Sequence, residues 1–338
     1  MTDARARARF AVVGTGAISQ VVHVPMLSER EDVDLVAVAD ADHRKAETIA
    51  ERFGVPGALR FEEILDRTDV DAVVICTPNS LHEEMAIAVL RAGKHVFVER
   101  PLAVTSEGAQ RVLDEAGAAG RMLAVAVPHR YRPGVGALRA FVAGGELGRI
   151  YAVRGSWLTR QAPGPRTTWR QRRALAGGGA LMDLGVPTLD LCLWLVGYPT
   201  VARVRGSVHY GDHEVEDAAT VMAETEDGAV FTMEVSACYF AAEDRYYARV
   251  MGSEGSGSLP PLEVYRQLGG RPLDVTPRQP RPRGGENPYT NAYRRQIDQF
   301  VRGVRGACEV DPPTEQVGLM RLVEAAYRSA DEGREVSP

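Results

Sequence analysis

A glycine-rich turn near the start of the chain is the first segment whose residue types predict chemistry. The residues Gly14-Thr15-Gly16-Ala17-Ile18-Ser19 follow a short apolar segment, Phe10–Val13, and open a helix-like segment, Ala17–Glu29. The first glycine of a G-x-G-x-x pattern permits a tight turn, and the second lets the backbone approach a pyrophosphate beside free N–H groups of the helix. We therefore predict a dinucleotide site made by Gly14, Thr15, Gly16, Ala17 and Ile18.

An acidic residue closes the next strand-like segment. Asp40 lies 24 residues beyond Gly16. A carboxylate at this position accepts hydrogen bonds from ribose hydroxyls and repels a 2′-phosphate, which favours NAD(H) over NADP(H). Arg44 and Lys45 lie close enough to weaken this preference, so NADP is not excluded. The alternative is a helix-starting aspartate and a glycine turn that bind nothing.

Polar residues also follow the strand-like segment Ala72–Cys76. Thr77, Pro78 and Asn79 come directly after it. Because the carboxyl ends of parallel strands line the ligand crevice of such sheets, we expect these residues near the nicotinamide. His82 is either a further cofactor contact or a surface residue at a helix start.

The elements that must position these residues alternate between strand and helix through the first 125 or so residues. Further strand candidates are Leu35–Ala39, His95–Val98 and Met122–Val127, and further helix candidates are Asp42–Phe53, Leu81–Arg91 and Ser106–Ala119. Gly54, Gly93 and Gly120 follow helices where a left-handed cap is expected. This alternation predicts an α/β fold with a doubly wound parallel sheet.

After Pro133 the pattern changes to consecutive strands with short turns, which predicts a second α/β domain with a large, mostly antiparallel open sheet. The predicted strands are Ile150–Trp157, Val201–Tyr210, Ala218–Thr225, Val230–Cys238 and Tyr246–Met251, and the predicted helices are Gly136–Ala143, Ala180–Val196, Tyr289–Gly303 and Thr314–Glu332. The segment Gly269–Pro288 is predicted to be a loop. We expect domains at 1–128 and 129–338, with the C-terminal helices free to pack back on the first.

Composition excludes several classes of protein. The 338 residues are 45% apolar, which excludes disorder as the main state and fits about two domains. No window approaches ~18 consecutive apolar residues, and no secretory signal follows the N-terminal arginines, so we expect a cytoplasmic protein without a membrane partner. A net charge of −5 does not favour nucleic acid. The four scattered cysteines predict neither a metal site nor disulfides, but reduced and mostly buried thiols.

These motifs, in this order, resemble the glucose-fructose oxidoreductase / inositol dehydrogenase / rhizopine catabolism (Gfo/Idh/MocA) family over nearly the whole chain. The resemblance also includes His23 and Pro25, the run Ala92–Glu99, Arg130–Pro133, Trp169-Arg170 and Gly177–Gly185. It implies an N-terminal Rossmann domain that binds NAD(P), with Glu99 and Arg100 beside the cofactor. It also implies a homodimer or homotetramer formed through the open sheet face, and oxidation or reduction of a hydroxyl or carbonyl on a small polar molecule.

Two departures from the family pattern concern its proton chemistry. The Glu-Lys-Pro tripeptide of the family is Glu99-Arg100-Pro101 here, and its Asp-x-x-x-His is Asp183 to Pro187. An arginine does not release its proton near neutrality, although it binds carboxylates and phosphates well. Proline has no titratable group. The usual Lys/His proton pair of the family is therefore absent.

Other residues remain as candidates for the reaction. Asp183 and Asp190 are two turns apart, which predicts one shared helix face, and Asp183 matches the acid of the family. His129 and Tyr131 are candidate proton donors, and Arg100 a candidate anchor. Arg160, Arg166, Arg170, Arg172 and Arg173 either form, together with Arg100, a positive rim for an anionic substrate, or they lie in a solvated loop.

The leading hypothesis is an atypical NAD(P)-dependent oxidoreductase that acts on a small polar metabolite; one version of this hypothesis has an anionic substrate. The reaction would reduce a C=O, C=N or activated C=C bond, or run in reverse. Two alternatives stay open. One is a redox-neutral lyase, isomerase or cyclase that retains its nucleotide, and the other is a non-catalytic NAD(P)-binding sensor. The residues do not identify the substrate.

Overall fold

The computed structural model describes residues 7–161, 168–279 and 287–338, which form two compact units. Unit 1 contains residues up to Ala126 together with Tyr293–Gln316, and unit 2 contains Val127–Ala292 and Val317–Pro338. Most of the helix Pro288–Val304 therefore belongs to the first unit. Both units combine a sheet with helices, so the predicted α/β class is confirmed.

Unit 1 is built on a six-stranded parallel sheet. Its strands are β1 (Ala8–Val13), β2 (Val33–Ala39), β3 (Ala58–Leu59), β4 (Ala72–Ile75), β5 (His95–Val98) and β6 (Leu123–Val125), in the spatial order β3-β2-β1-β4-β5-β6. This order reverses between β1 and β4, the place where doubly wound sheets bind dinucleotides. The carboxyl ends of β1 and β4 lead to Gly14 and Thr77, so the fold brings both motifs to that switch point.

Most helices of unit 1 connect these strands, whereas the last one comes from the C-terminal part of the chain. They are α1 (Val24–Ser28), α2 (His43–Phe53), α3 (Phe61–Asp66), α4 (His82–Arg91), α5 (Ser106–Ala119) and most of α9 (Pro288–Val304). Gly54, Gly93 and Gly120 have φ values of 67°, 75° and 58°, which confirms the expected left-handed caps. Phe300 of α9 packs edge-on against Phe10 and Phe97 of the sheet at 6.0 and 5.3 Å between ring centroids.

Unit 2 is built on an eight-stranded sheet. Its strands are β7 (Ile150–Arg160), β8 (Val201–His209), β9 (Ala218–Thr225), β10 (Val230–Tyr239), β11 (Arg245–Gly252), β12 (Gly255–Leu259), β13 (Glu263–Leu268) and β14 (Arg271–Asp274), in the order β14-β13-β12-β11-β7-β10-β9-β8. Only the pair β7 and β10 is parallel among these. The prediction of a loop over Gly269–Pro288 is wrong at Arg271–Asp274, because this strand pairs with β13; residues 280–286 lie outside the described ranges.

Three helices and part of a fourth flank this sheet: α6 (Val135–Ala143), α7 (Arg173–Ala176), α8 (Val186–Leu195) and most of α10 (Glu315–Glu332). Val153, Val221, Val235 and Val250 point from the inner sheet face into a core that includes Leu189 and most of the other side chains of α8. The segment Arg173–Leu195 is long and apolar enough to cross a membrane, but 89% of its most apolar window is buried within the protein. This segment is therefore a core helix of unit 2.

Candidate active site

The glycine turn after β1 has the geometry that a dinucleotide needs. Gly14 has a φ of 91°, and a Cβ there would lie 2.7 Å from the backbone of Cys76, so no larger residue fits. Gly16 is exposed, and a Cβ built on it would meet nothing within 4 Å. The chain then enters a helix at Ala17, which is exposed, and Ile18, which is half-buried. Open space over a helix start fits a pyrophosphate group.

Asp40 is connected directly to this turn. Its Oδ2 accepts hydrogen bonds of 2.8 Å from both the amide and the hydroxyl of Thr15, and its Oδ1 accepts one from the Asp42 amide. Burial by itself would raise the pKa of Asp40, but these hydrogen bonds and the charge of Lys45 lower it on balance. The carboxylate is thus held ionised, with acceptor capacity left for ribose hydroxyls.

The loop after β4 is tied down by a buried histidine. The two ring nitrogens of His82 lie 2.7 Å from the carbonyl oxygen of Pro101 and 2.9 Å from that of Thr77. Its side chain is fully buried, so the expectation of a surface histidine at a helix start is wrong. Burial lowers the pKa of His82, against the effect of the two carbonyl acceptors. Asn79 is buried, whereas Thr77 and Pro78 are half-buried. His82 therefore shapes this loop from inside the fold.

Glu99 is held in a buried polar cluster. Its two carboxylate oxygens lie 2.7 Å from Nε2 of His23 and 3.2 Å from the hydroxyl of Tyr293, which donates. Burial would raise the pKa of Glu99, but the His23 hydrogen bond, the charges of His23 and Arg100, and the Tyr293 hydroxyl lower it on balance. Arg100 is half-buried rather than fully buried. Its backbone is thus fixed on one side through Glu99 and on the other through Pro101.

A cavity of about 280 Å³ lies within unit 2. Its described lining includes Thr159, Arg160, Arg170, Gln171, Asp183, Glu216 and Asp217. The half-exposed Asp183 carboxylate lies 3.5 Å from Nε of Arg170. Arg172 is exposed, Arg173 donates to the Tyr210 hydroxyl, and Arg166 lies outside the described residues. Of the predicted positive rim, Arg160 and Arg170 reach this cavity.

The helix that carries Asp183 is not regular. Leu181–Gly185 forms a π-helical turn in which the Val186 amide donates to the Leu181 carbonyl, five residues back. Pro187 explains this turn, because proline has no N–H and its ring clashes with the carbonyl four residues earlier, here that of Asp183. A second π-helical turn, Ser19–His23, stands before Val24-Pro25 in the same way.

The wider turn separates the environments of the two aspartates, so the prediction of one shared helix face is wrong. Asp190 is 2% exposed and accepts hydrogen bonds from Nε of Arg130 at 2.8 Å and from the Tyr198 hydroxyl. Asp183, in contrast, lines the cavity. A paired, buried carboxylate such as Asp190 is a structural element of unit 2.

Two residues that sequence reasoning missed shape the start of this helix. Oε1 of the buried Glu216 accepts hydrogen bonds from the amides of Gly179 and Leu181, both at 2.9 Å, and from the Tyr327 hydroxyl at 2.7 Å. A Cβ on Gly178 would lie 2.0 Å from the Tyr327 hydroxyl. The three consecutive glycines are a signal of close packing that is visible in the sequence. Their partners are not visible there, because Glu216 lies 37 residues after Gly179 and Tyr327 lies 149 residues after Gly178.

His129 and Tyr131 lie in a short 3-10 turn, Pro128–Tyr131. His129 is 2% exposed; its ring stacks on Tyr246 at 5.3 Å and meets the edge of Trp157 at 4.9 Å. Tyr131 is half-buried. Nothing in this aromatic packing assigns either residue a proton, so their predicted role stays a prediction. Of the cysteines, Cys192 is buried and the other three are less than half exposed, in agreement with the expectation of mostly buried thiols. Within the described ranges, no group of His, Cys, Asp or Glu could hold a metal ion.

Comparison with known proteins agrees with this geometry. Residues 8–127 match the model of the oxidoreductase family with an NAD-binding Rossmann fold, and residues 139–337 match the C-terminal alpha/beta domain of the same Gfo/Idh/MocA family. The chain belongs to this family.

Individual members of the Gfo/Idh/MocA family are similar over the whole length. D-glucoside 3-dehydrogenase of Escherichia coli (strain K12) is 29% identical over 97% of both chains, and inositol 2-dehydrogenase of Rhizobium meliloti (strain 1021) is 28% identical over 97% of this chain and 98% of its own. The crystal structure of GenD2 from gentamicin A biosynthesis, in complex with NAD, is 31% identical with a TM-score of 0.85, and the match covers 100% of this chain and 98% of that one.

As a Gfo/Idh/MocA protein, the chain is an NAD(P)-dependent oxidoreductase, and its cofactor is NAD. The glycine turn and the ionised Asp40 fit that cofactor. The departures predicted at Arg100 and Pro187, where the family pattern has lysine and histidine, stay predictions.

Proposed function

We propose that this protein oxidises a hydroxyl group of a small, neutral, polyhydroxylated molecule such as a sugar or cyclic polyol, or reduces the corresponding carbonyl. The observation that carries the proposal is the cavity of unit 2, in which Thr159, Gln171 and Asp183 offer hydrogen-bonding groups to hydroxyls. Its volume of about 280 Å³ is at the lower end of ligand pockets, which suits a single small ring.

The charges around the cavity favour a neutral substrate over an anionic one. The described lining contains the carboxyl groups of Asp183, Glu216 and Asp217 against the guanidinium groups of Arg160 and Arg170. Arg170 is also near Asp183. An anion would therefore meet at least as much negative as positive charge, whereas hydroxyls can donate to carboxylates and accept from arginines.

Oxidation of an alcohol removes a hydride from the carbon atom and a proton from the hydroxyl group. Bound NAD⁺ would supply the acceptor for this hydride. The hydroxyl proton must pass to another acceptor, and we propose Asp183, because its carboxylate lines the cavity and is partly exposed. Arg100 keeps its charge near neutral pH and does not exchange a proton. In reduction, the same proton returns from Asp183.

Two further properties belong to this proposal. We propose that the protein works in the cytoplasm and that its partner is a small-molecule substrate, without nucleic acid or membrane. We also propose that it forms a homodimer or homotetramer, as the resemblance implies.

The test is a substrate panel. Purified protein is incubated with NAD⁺ and neutral aldoses, inositols and alditols, alongside aldonic and uronic acids, and NADH is followed by absorbance. We expect turnover of at least one neutral compound, and a fall in kcat of about 10²–10⁴ in Asp183→Asn. Asp212→Asn, an exposed residue outside the cavity lining, is the control. Turnover of the acids alone, or an unchanged rate in Asp183→Asn, would contradict the proposal.

A further inference from the structure

The start of the helix that carries Asp183 is held by one buried carboxylate. Glu216 is 1% exposed. Its Oε1 accepts the amides of Gly179 and Leu181, while its own backbone carbonyl accepts the Ala180 amide at 2.8 Å. Three consecutive amides, the last of which opens the π-helical turn, are therefore bound to a single residue. Charge-assisted hydrogen bonds of this kind are roughly twice as strong as neutral ones.

A second residue fixes Glu216 itself. The Tyr327 hydroxyl donates to the same Oε1 at 2.7 Å, and burial beside this carboxylate raises the pKa of Tyr327. The two glycines allow this approach, because a Cβ on Gly178 would meet the Tyr327 hydroxyl and a Cβ on Gly179 would meet the Glu216 carbonyl, each at 2.0 Å. Glu216 is thus confined by close contacts on both sides.

The other end of the turn is less constrained. Pro187 cannot donate a hydrogen bond to the Asp183 carbonyl, and the Val186 amide reaches back five residues to Leu181 instead of four. The Asp183 amide keeps its 2.8 Å hydrogen bond to the Gly179 carbonyl. The position of Asp183 therefore depends on Gly179–Leu181, which is the segment that Glu216 binds.

We propose that Glu216, held by Tyr327, is a positioning residue that fixes the π-helical turn and so presents the Asp183 carboxylate to the cavity. Glu216 acts through Asp183 and need not contact the substrate. The expected effect on kcat rests on the proposed function, whereas the expected effect on the π-helical turn does not.

The first test measures the turn without any substrate. Amide hydrogen exchange is followed by mass spectrometry in the full chain for wild type, Tyr327→Phe and Glu216→Gln, with Glu214→Gln as the matched control, since Glu214 is an exposed glutamate two residues away. Tyr327→Phe removes one hydroxyl and keeps the ring, so it preserves the core if Glu216→Gln does not fold. We expect exchange about tenfold faster over residues 179–186 in the two variants. Glu214→Gln should show wild-type exchange over these residues, because its carboxylate accepts only the Arg173 amide outside them among the described contacts. Unchanged exchange there in the two variants, or an equal increase throughout unit 2, would overturn the proposal.

The second test is a double-mutant cycle on kcat. In the wild-type background, Tyr327→Phe and Glu216→Gln should each lower kcat by about tenfold and leave the NADH dissociation constant unchanged. In the Asp183→Asn background they should lower kcat no further, because the residue they position no longer acts. Independent, multiplying losses would overturn the proposal. If wild type oxidises no member of the panel, the proposed function fails, while the exchange measurement still decides whether Glu216 holds the turn.

Discussion

At the scale of single residues, Arg100 limits which side chains can transfer a proton in this protein. A lysine at this position could exchange a proton near neutral pH, but a guanidinium does not. Its backbone is nevertheless fixed on both sides, through the Glu99 contacts with His23 and Tyr293 and through the Pro101 contact with His82. The contacts on both sides thus fix the backbone of a residue that carries a permanent positive charge. Proton transfer must then fall to another group, for which we propose Asp183.

Glu99 gives a pH-dependent prediction at the residue scale. Its pKa is lowered in the folded protein by His23, Arg100 and Tyr293 against the effect of burial. A lowered folded-state pKa contributes stability above the unfolded-state value of about 4.3, and that stability is lost as the pH falls through the folded-state pKa. Glu99→Gln should therefore lower the free energy of unfolding by about 2 kcal/mol at pH 7.

Thermal unfolding measured from pH 7 to pH 3 checks this. The difference in Tm between wild type and Glu99→Gln should be constant above about pH 5 and shrink towards pH 3. The exposed Glu51→Gln on α2 is the control and should show no such trend. A difference that grows on acidification would contradict the assigned direction of the pKa shift.

At the scale of elements, the two glycines of the first turn make opposite predictions. Gly14→Ala places a Cβ 2.7 Å from the Cys76 backbone at a φ of 91°, so it should lower Tm even without cofactor. Gly16→Ala places its Cβ in open space, so it should leave the Tm of the cofactor-free protein unchanged and weaken NADH binding by tenfold or more, because the pyrophosphate would meet the new methyl group.

Fluorescence titration with NADH and thermal unfolding without it measure both effects, and each variant is the control for the other. A Gly16→Ala protein that binds NADH like wild type would place the pyrophosphate elsewhere. A Gly14→Ala protein with an unchanged Tm would mean that the turn can move away from β4.

Some helices and strands could be predicted from the sequence, and others could not. Strands such as β4 and β5, helix α5 and the family motifs follow from Val-rich runs, glycine caps and the glycine turn, and the structure confirms them. The short elements β3 and α3 were missed, as were β12 to β14. β3 has only two residues, and in the others apolar residues are interrupted by polar residues or glycine; the pairing of the strands also depends on their neighbours. The π-helical turns were missed because hydrophobic periodicity assumes 3.6 residues per turn; Pro25 and Pro187 were the local signals.

The candidate site shows a similar division. The glycine turn and Asp40 could be placed from local patterns, since each lies at a strand end. The contacts of His82 with Pro101, and of Glu216 with Tyr327, join residues 19 and 111 positions apart. Such contacts exist only once the sheet topology has formed, and no spacing in the sequence encodes them.

At the scale of the whole molecule, exposed apolar side chains on the outer face of the unit 2 sheet predict that copies of the chain associate. Met222, Tyr247 and Tyr265 point outward from β9, β11 and β13 and are 39–47% exposed. Apolar side chains on an open sheet face commonly mark an interface. We expect light scattering after size exclusion to give the mass of a dimer or tetramer, and the double variant Met222→Glu/Tyr247→Glu to shift it towards the monomer.

The control for this measurement is Ala118→Glu, which adds one negative charge on the exposed side of α5, against two in the double variant. It should retain the wild-type mass. A monomeric wild type, or a double variant with the wild-type mass, would mean that this sheet face is not the interface.

The central claim is that hydride moves between a polyhydroxylated substrate and NAD. It is tested most directly with the best substrate of the panel carrying deuterium on its carbon atoms, followed by mass spectrometry of the nucleotide. We expect one deuterium in the reduced nucleotide for each molecule of carbonyl product. Product formed without accumulation of deuterated NADH would contradict it and would indicate redox-neutral chemistry instead.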